Sequence, residues 1–193
     1  MKAFEKVSII IVNWNGAQHL KKCLPTLEKI NYPNFEIIFV DNASQDESID
    51  LIKTFAKRMQ PRNVKIKTVV NKKNLGFAGG NNAGLKSVTG KYILLLNNDT
   101  TVTKNFIKEL VGVIEKNPSV DCVQSKILSM NYPEKLDSVG AYLTNTGFLY
   151  HYGYFQKNKL SYDSTRDLYT AKGACMMVKK EIVDKIGLFD PDF

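Results

Sequence analysis

Amide and carboxylate side chains follow two apolar runs of the sequence. Asn13 and Asn15 come directly after residues 7–12, and Asp41 comes directly after residues 35–40. The amides can recognise a nucleobase, and a carboxylate can accept hydrogen bonds from a base imide or a ribose hydroxyl. Taken one at a time, an ordinary turn after the first run and a structural role for Asp41 explain these residues about equally well.

A third apolar run, residues 92–96, ends in Asn97, Asn98 and Asp99. Oxygen ligands at such a position suit a hard divalent cation, Mg²⁺ or Mn²⁺, that also bridges phosphates. Asp99 is then the single firm protein ligand, and diphosphate oxygens and water are expected to fill the other positions. The alternative for Asp99 is a helix N-cap.

Residues 74–84 concentrate glycines and amides just before a predicted helix. Glycines let the backbone approach a ligand closely. The segment has neither the glycine spacing of a dinucleotide fingerprint nor the Lys-Ser or Lys-Thr ending of a Walker loop. A hydride-transfer enzyme and a phosphate-cradling loop are therefore disfavoured.

These polar groups need a scaffold that brings the ends of the apolar runs together. The unbroken runs are typical of parallel strands covered on both faces, and apolar spacing of three and four residues predicts helices between them. Strands are predicted at residues 7–12, 35–40, 64–70, 92–96 and 120–128, and helices around residues 20–27, after 44, at 80–88 and at 106–114. The alternation predicts an α/β fold with a doubly wound, mainly parallel sheet and helices on both faces.

Two local features refine the helices. Pro25 removes a backbone donor, so a kink or break is expected there. Ser44 followed by Glu47 predicts a capping box at the start of the second helix. The Tyr-rich and Gly-rich residues 140–155 predict irregular strands and loops over one sheet edge. Residues 174–178 predict a short strand, most simply an edge strand, and residues 182–186 predict a brief helix.

The composition limits the class of protein. A chain of 193 residues with 44% hydrophobic residues predicts one domain. Much of the net charge of +8 lies in residues 53–73, which lack the aromatic interleaving that single-strand binders use for base stacking. This favours a solvated helix face and loop, and no nucleic-acid partner. The spacing of Cys23, Cys122 and Cys175 is not that of a metal site, and it predicts reduced, mostly buried thiols of a cytoplasmic protein. The sequence also predicts no membrane-crossing segment.

Taken together, residues 7–44, 74–84 and 94–99 resemble family 2 glycosyltransferases of the GT-A fold, especially a rhamnosyltransferase-like branch. The resemblance implies that Asn13, Asn15 and Asp41 contact base and ribose, that Asn82 is a nearby polar contact, and that Asn98 contacts ribose. Asp99 matches the metal-binding end of the family's DxD motif, although Asn97 replaces the first acid. Residues 171–177 resemble the strand beneath the donor sugar and acceptor.

The resemblance also divides the chain and predicts its activity. Residues 1–193 form a single GT-A-like domain, with a nucleotide-sugar half at 1–128 and the start of an acceptor half at 129–193. In the family, the acidic segment that supplies the general base follows the stretch matched by residues 189–193, so the base is expected beyond Phe193 and the chain is expected to be truncated before it. The resemblance implies an inverting transfer from a UDP- or dTDP-sugar to a hydroxyl of a glycan or lipid-linked acceptor.

The sequence also has to be compared with two other classes of function, a binding module and a pyrophosphorylase. A non-catalytic module that only holds a sugar nucleotide would need the same binding residues but no base. A pyrophosphorylase shares a related layout, but residues 13–18 offer no basic phosphate loop. The family's acceptors at the inner membrane face, together with the basic surface, suggest a peripheral membrane contact.

Overall fold

The computed structural model describes residues 3–190. Its main sheet consists of β1 (Val7–Asn13), β2 (Phe35–Asp41), β3 (Lys65–Val70), β4 (Tyr92–Leu96), β5 (Cys122–Gln124) and β10 (Cys175–Lys179). Their order across the sheet is β3-β2-β1-β4-β10-β5. The first four strands pair in parallel, and β10 pairs antiparallel with both β4 and β5. The prediction of a mainly parallel α/β sheet is therefore confirmed.

Helices cover both faces of this sheet, as predicted. They are α1 (Ala17–Leu27), α2 (Ser48–Met59), α3 (Gly76–Leu85), α4 (Phe106–Lys116) and α5 (Lys180–Ile186). Ile9 and Ile11 of β1 face the core beneath α1, α2 and α4. Ile10 faces the second core, to which α3 and α5 contribute. Because successive side chains of a strand alternate between two buried faces, β1 needs an unbroken apolar sequence.

Pro25 does not break the first helix, contrary to expectation. The helix continues through Pro25 to Leu27. Pro25 lies in the last turn, so its missing N–H removes only one late hydrogen bond. Leu24 and Leu27 are buried in the core and keep this turn packed against the sheet.

The capping box predicted from Ser44 and Glu47 is wrong. Helix α2 begins at Ser48, and neither side chain caps it. The carboxylate of Asp46 does so instead, since its Oδ1 accepts a hydrogen bond from the Ser48 N–H over 3.0 Å, while Oδ2 accepts one from the Ala17 N–H over 2.9 Å. One carboxylate thereby accepts a hydrogen bond from one N–H group in the first turn of each of α1 and α2.

The C-terminal third differs from its predicted strands. Residues 120–128 form two short strands, β5 and β6 (Ile127–Leu128), and β6 pairs with β7 (Leu136–Ser138). Residues 140–155 contain a separate hairpin of β8 (Ala141–Leu143) and β9 (Leu149–His151). The strand predicted at 174–178 is β10, and it is interior because β5 covers its outer edge.

Three further predictions have definite outcomes. Cys23, Cys122 and Cys175 are free, but Cys122 is exposed. The basic stretch includes the edge strand β3 besides a helix face and a loop, since Lys65 and Lys67 lie on β3. Within residues 3–190, no helix combines the length and apolar character needed to cross a membrane.

A buried charge holds the amino end of the sheet together. Glu36 is 0% exposed, and its Oε1 accepts hydrogen bonds from the hydroxyls of Ser8 and Thr89, both over 2.7 Å. Its Oε2 lies 3.2 Å from the ammonium group of Lys67. Burial raises the pKa of Glu36, but these hydrogen bonds outweigh burial and lower the pKa to about 2. This network stabilises the sheet end opposite the candidate site.

Candidate nucleotide-sugar site

The predicted site residues lie at the carboxyl ends of the central strands. In the sheet, β2 lies on one side of β1 and β4 lies on the other, so the direction in which strands are added reverses at β1. Such a reversal is where open α/β sheets bind ligands. Asn13 and Asp41 are direct register partners at the ends of β1 and β2.

Asn13 connects all three strand ends. Its Nδ2 donates to Oδ1 of Asp41 and to Oγ of Ser44, each over 3.2 Å. Its Oδ1 accepts a hydrogen bond from Nδ2 of Asn98 over 2.7 Å. Asn13 and Asp41 are each only 1% exposed. Asp41 also accepts from the Ser44 N–H over 2.9 Å through Oδ2, so its carboxylate shapes the loop that follows β2.

Asn15 belongs to the same network, on its exposed rim. Its N–H donates to Oγ of Ser44 over 2.9 Å, and its Oδ1 accepts from the Gln45 N–H over 2.7 Å. Asn15 has φ of 46° and Ala43 has φ of 61°, in the left-handed region that a non-glycine residue occupies at a cost. Trp14 is 56% exposed beside them, so an aromatic face is available for base stacking.

Ser44 is a site residue that the sequence did not single out for this role. Its hydroxyl accepts from both Asn13 and Asn15 and so joins the loops after β1 and β2. The only local signal was an aspartate three residues earlier, since Oδ2 of Asp41 accepts the hydrogen bond from the Ser44 N–H. The helix-cap interpretation of Ser44 obscured it.

Asn42 extends the network to the glycine-rich segment. It is 1% exposed, and its Oδ1 accepts from Nδ2 of Asn71 over 2.8 Å at the end of β3. Its Nδ2 donates to the Gly76 carbonyl over 3.0 Å and to Oδ1 of Asn74 over 3.2 Å. Residues 74–76 are thereby fixed beside the other strand ends.

Gly16 lies against the side chains of Asn13 and Asn98. A Cβ atom at this position would overlap both Nδ2 of Asn98 and Oδ1 of Asn13. Gly16 also stands at the N-cap of α1. The glycine therefore leaves room for the Asn13–Asn98 hydrogen bond.

Asp99 lies on the exposed loop after β4. The Asn97 N–H donates to the Ala174 carbonyl over 3.0 Å and fixes the start of this loop against the segment before β10. Within residues 3–190, the Asp99 carboxylate accepts no hydrogen bond and forms no ion pair. Helix α4 begins only at Phe106, so the N-cap alternative for Asp99 is wrong.

The Asp99 carboxylate also acts on the side chain beneath it. Burial raises the pKa of the Cys23 thiol to about 12, and the negative charge of Asp99 adds to the effect. No group of three or more His, Cys, Asp or Glu side chains is arranged as a metal cage within residues 3–190. A single exposed carboxylate still fits a cation that takes its remaining ligands from phosphates and water.

Asn82 is not part of the network around Asn13. It lies on α3, and its Nδ2 donates to the Phe189 carbonyl over 2.9 Å. The ring of Phe189 meets that of Phe77 edge-on at 5.3 Å. Asn82 therefore ties α3 to the segment after α5.

The resemblance places the general base beyond Phe193, in an acidic segment that follows residues 189–193. Residues 191–193 lie outside the described residues, and Phe193 is among them. The expected position of the base beyond Phe193, and the truncation before it, therefore stay predictions.

The fold and the site define a class of protein. Amides, a buried aspartate, an exposed indole and one exposed carboxylate at the switch point of an open α/β sheet are typical of nucleotide-binding domains. The Glycosyl transferase family 2 model matches residues 8–187. The chain therefore belongs to glycosyltransferase family 2.

Curated relatives agree with this family. A poly(ribitol-phosphate) beta-glucosyltransferase of Bacillus spizizenii is 31% identical over 160 residues, covering 68% of this chain and 25% of the relative. The glycosyltransferase GlyG of Streptococcus pneumoniae is 29% identical over 144 residues, covering 75% and 46%. In eight such relatives the matched region spans 14% to 46% of their length.

Solved structures show the same fold. A mannosyltransferase from Pyrobaculum calidifontis, in complex with GDP-Man and Mn²⁺, has a TM-score of 0.71 at 17% identity, covering 99% of this chain and 49% of that one. Staphylococcus aureus TarS in complex with UDP has a TM-score of 0.69 at 20% identity, covering 97% and 51%. At these identities the likeness establishes the GT-A-type fold alone.

Proposed function

We propose that the crevice at the ends of β1, β2 and β4 binds a UDP- or dTDP-sugar, and that the protein transfers this sugar, with inversion, to a hydroxyl of a glycan or lipid-linked acceptor. The observation that carries the proposal is the hydrogen-bond network centred on Asn13, which lies beside the exposed Asp99 carboxylate. Family membership supplies the reaction class.

Each residue has a separate role in this proposal. Asn13 and Asp41 hold the crevice in shape and offer their remaining lone pairs to the base and ribose. Asn15, on the exposed rim, and Asn98, at the end of β4, contact the nucleoside directly. Asn82 contributes a polar group on the α3 side. The division of the chain into a nucleotide half at 1–128 and an acceptor half at 129–193 belongs to the same proposal.

Asp99 would hold a divalent ion, Mg²⁺ or Mn²⁺, together with the donor diphosphate. When bound there, such an ion neutralises negative charge on the leaving nucleoside diphosphate. The chain's own contribution is the Asn97–Ala174 hydrogen bond, which fixes the backbone at the start of the Asp99 loop before the donor arrives.

The general base is proposed to lie beyond Phe193, as the family resemblance implies. A base of this kind contributes roughly 100-fold to 10,000-fold. The 193 residues are therefore expected to bind the donor and to transfer sugar at least about 100-fold more slowly than a version that includes the base.

Calorimetry with UDP, dTDP and ADP tests the binding proposal. Binding of UDP or dTDP, with ADP at least tenfold weaker, is the expected result. Equal binding of all three would contradict specific recognition of the base. Sugar transfer is measured on the same samples. Rapid transfer by the 193-residue chain would place the base within these residues. Donor binding without transfer, in a version that includes the acidic segment, would favour the non-catalytic module.

A further inference from the structure

A groove rich in tyrosine lies outside the nucleotide crevice. It has a volume of about 520 Å³ and follows the β8–β9 hairpin, and its walls include Tyr150, His151, Tyr152, Tyr154 and Tyr162. Tyr150 is 56% exposed and Tyr154 is 58% exposed. Two exposed aromatic rings that line one concavity form a contiguous patch, and such patches mark binding surfaces.

Side-chain contacts hold the groove wall in position. The guanidinium of Arg166 lies 4.4 Å from the centre of the Tyr152 ring, and the Tyr162 ring meets Tyr152 edge-on at 5.5 Å. Gly153 has φ of 70°, and a Cβ atom there would come within 2.9 Å of Tyr162. Tyr152 is thus held on two sides while its neighbours Tyr150 and Tyr154 stay exposed.

A second, smaller concavity shares lining residues with the first. Its volume is about 300 Å³, and it is lined by Asp137, His151, Tyr154 and Lys172. His151 and Tyr154 line both concavities, so the two share a wall. Asp137 and Lys172 form an ion pair whose side chains are 32% and 41% exposed, which places charged donors and acceptors at this end.

A short stretch of chain connects this charged end to the proposed donor site. Lys172 stands two residues before Ala174, whose carbonyl accepts the Asn97 N–H hydrogen bond. Two residues of extended chain span about 7 Å. The backbone of Lys172 therefore lies within about 7 Å of Ala174, the residue that contacts the start of the Asp99 loop.

We propose that these two concavities form one subsite for a carbohydrate acceptor, with sugar rings on Tyr150 and Tyr154 and hydroxyls at Asp137 and Lys172. The proposal rests on the proposed function, since it supplies the acceptor of that reaction. A sugar ring offers C–H groups to an aromatic face and hydroxyls to the surrounding phenol, imidazole and carboxylate groups. The groove provides both kinds of partner along one wall.

The same chemistry disfavours an acyl chain as the occupant. Lipid tails would desolvate the Asp137–Lys172 pair and the phenol hydroxyls without returning hydrogen bonds. A polyol satisfies these groups as it displaces water. The acceptor end in contact with this chain is accordingly a glycan.

A printed array of di- to hexasaccharides, probed with the 193-residue chain, tests the proposal. At least one glycan should be retained, and Tyr154→Ala and Tyr150→Ala should each weaken its binding at least tenfold. Tyr169→Ala is the matched control, because Tyr169 is 65% exposed and does not line either concavity. Calorimetry with UDP on the same variants should give wild-type affinity.

The outcomes separate the two proposals. No retained glycan, or glycan binding unchanged in the Tyr150→Ala, Tyr154→Ala double variant, overturns the acceptor subsite while UDP binding leaves the donor site standing. Binding to phosphatidylglycerol vesicles that the double variant abolishes, with no glycan retained, would assign the groove to a membrane and also overturn it. Glycan binding with no binding of UDP or dTDP would instead contradict the proposed function.

Discussion

Asn98 donates a 2.7 Å hydrogen bond from Nδ2 to Oδ1 of Asn13, joining the ends of β4 and β1 across 85 residues of sequence. Both amides were predicted to contact a nucleotide. In the structure Asn13 already uses Oδ1 and Nδ2 within the protein. These residues therefore set the shape of the crevice, whatever further contacts they make to a ligand.

Asn98→Ala is expected to destabilise the protein and weaken nucleotide binding together. The substitution leaves Oδ1 of the buried Asn13 without its partner, which costs about 1–3 kcal/mol. Urea denaturation measures the change in the free energy of unfolding. Asn31→Ala is the control, because Asn31 is exposed and its side chain makes a single 3.4 Å amide contact, with Asn105, among residues 3–190. Equal stability of both variants would show that the Asn13–Asn98 bond contributes nothing.

Gly16→Ala is expected to disrupt the crevice, because the added methyl group overlaps Asn13 and Asn98. Overpacking of this kind costs about 1–3 kcal/mol. Gly112→Ala is a matched control on α4, where a Cβ atom meets nothing within 4 Å. It should stabilise the protein by up to about 1 kcal/mol through helix propensity. Thermal unfolding of the two variants should therefore move in opposite directions, and a parallel shift would contradict the geometry around Gly16.

Acid should weaken the sheet through Glu36. The folded pKa of about 2 lies below the ordinary value of 4.5, so the carboxylate stabilises the fold above pH 4.5 and loses this contribution as the pH falls toward 2. Each unit of pKa difference corresponds to about 1.4 kcal/mol, which gives roughly 3 kcal/mol in total. Urea denaturation from pH 7 to pH 2 measures this slope.

Glu36→Gln removes the titrating group and should flatten that part of the pH profile. It should also destabilise the fold at pH 7 by about 3–5 kcal/mol, because the Lys67 ammonium loses its buried partner. Glu109→Gln, on the exposed side of α4, controls for the loss of one negative charge. A Glu36→Gln profile identical to wild type would contradict the assigned role.

Asp46→Ala tests the corrected start of α2. Because Asp46 caps the first turns of both α1 and α2, its removal should cost about 1–4 kcal/mol, twice the usual value for one cap. Glu47→Ala should cost under about 1 kcal/mol, because Glu47 makes only an exposed ion pair with Lys21. A larger loss of stability in Glu47→Ala than in Asp46→Ala would restore the capping box.

The main sheet could be predicted because its strands are buried on both faces. Strand β4 was predicted with its observed bounds, Tyr92–Leu96, since every residue in it is buried. Parallel strands then place Asn13, Asp41 and Asn98 at one edge by geometry alone. The sequence was therefore sufficient to predict that these three side chains lie together.

The other features could not be predicted, because they depend on contacts between residues that are far apart in the sequence. Ser44 and Glu47 match a local capping pattern, but Ser44 bonds Asn13 and Asn15 from 29 to 31 residues away. The interior position of β10 depends on β5 adding beyond it, which no local pattern indicates. The rhamnosyltransferase-like branch, the ligand roles of the predicted site residues and a general base beyond Phe193 stay predictions.

The most direct test of the account is calorimetric titration of UDP and dTDP with and without Mn²⁺, on wild type and Asp99→Ala. Asp50→Ala is the control, because Asp50 is an exposed carboxylate on α2. The account predicts that Mn²⁺ strengthens binding of one nucleotide at least tenfold in wild type and Asp50→Ala, and that Asp99→Ala loses this gain. Mn²⁺-strengthened binding that persists in Asp99→Ala would contradict the metal role of Asp99, and failure of wild type to bind either nucleotide would contradict the donor site itself.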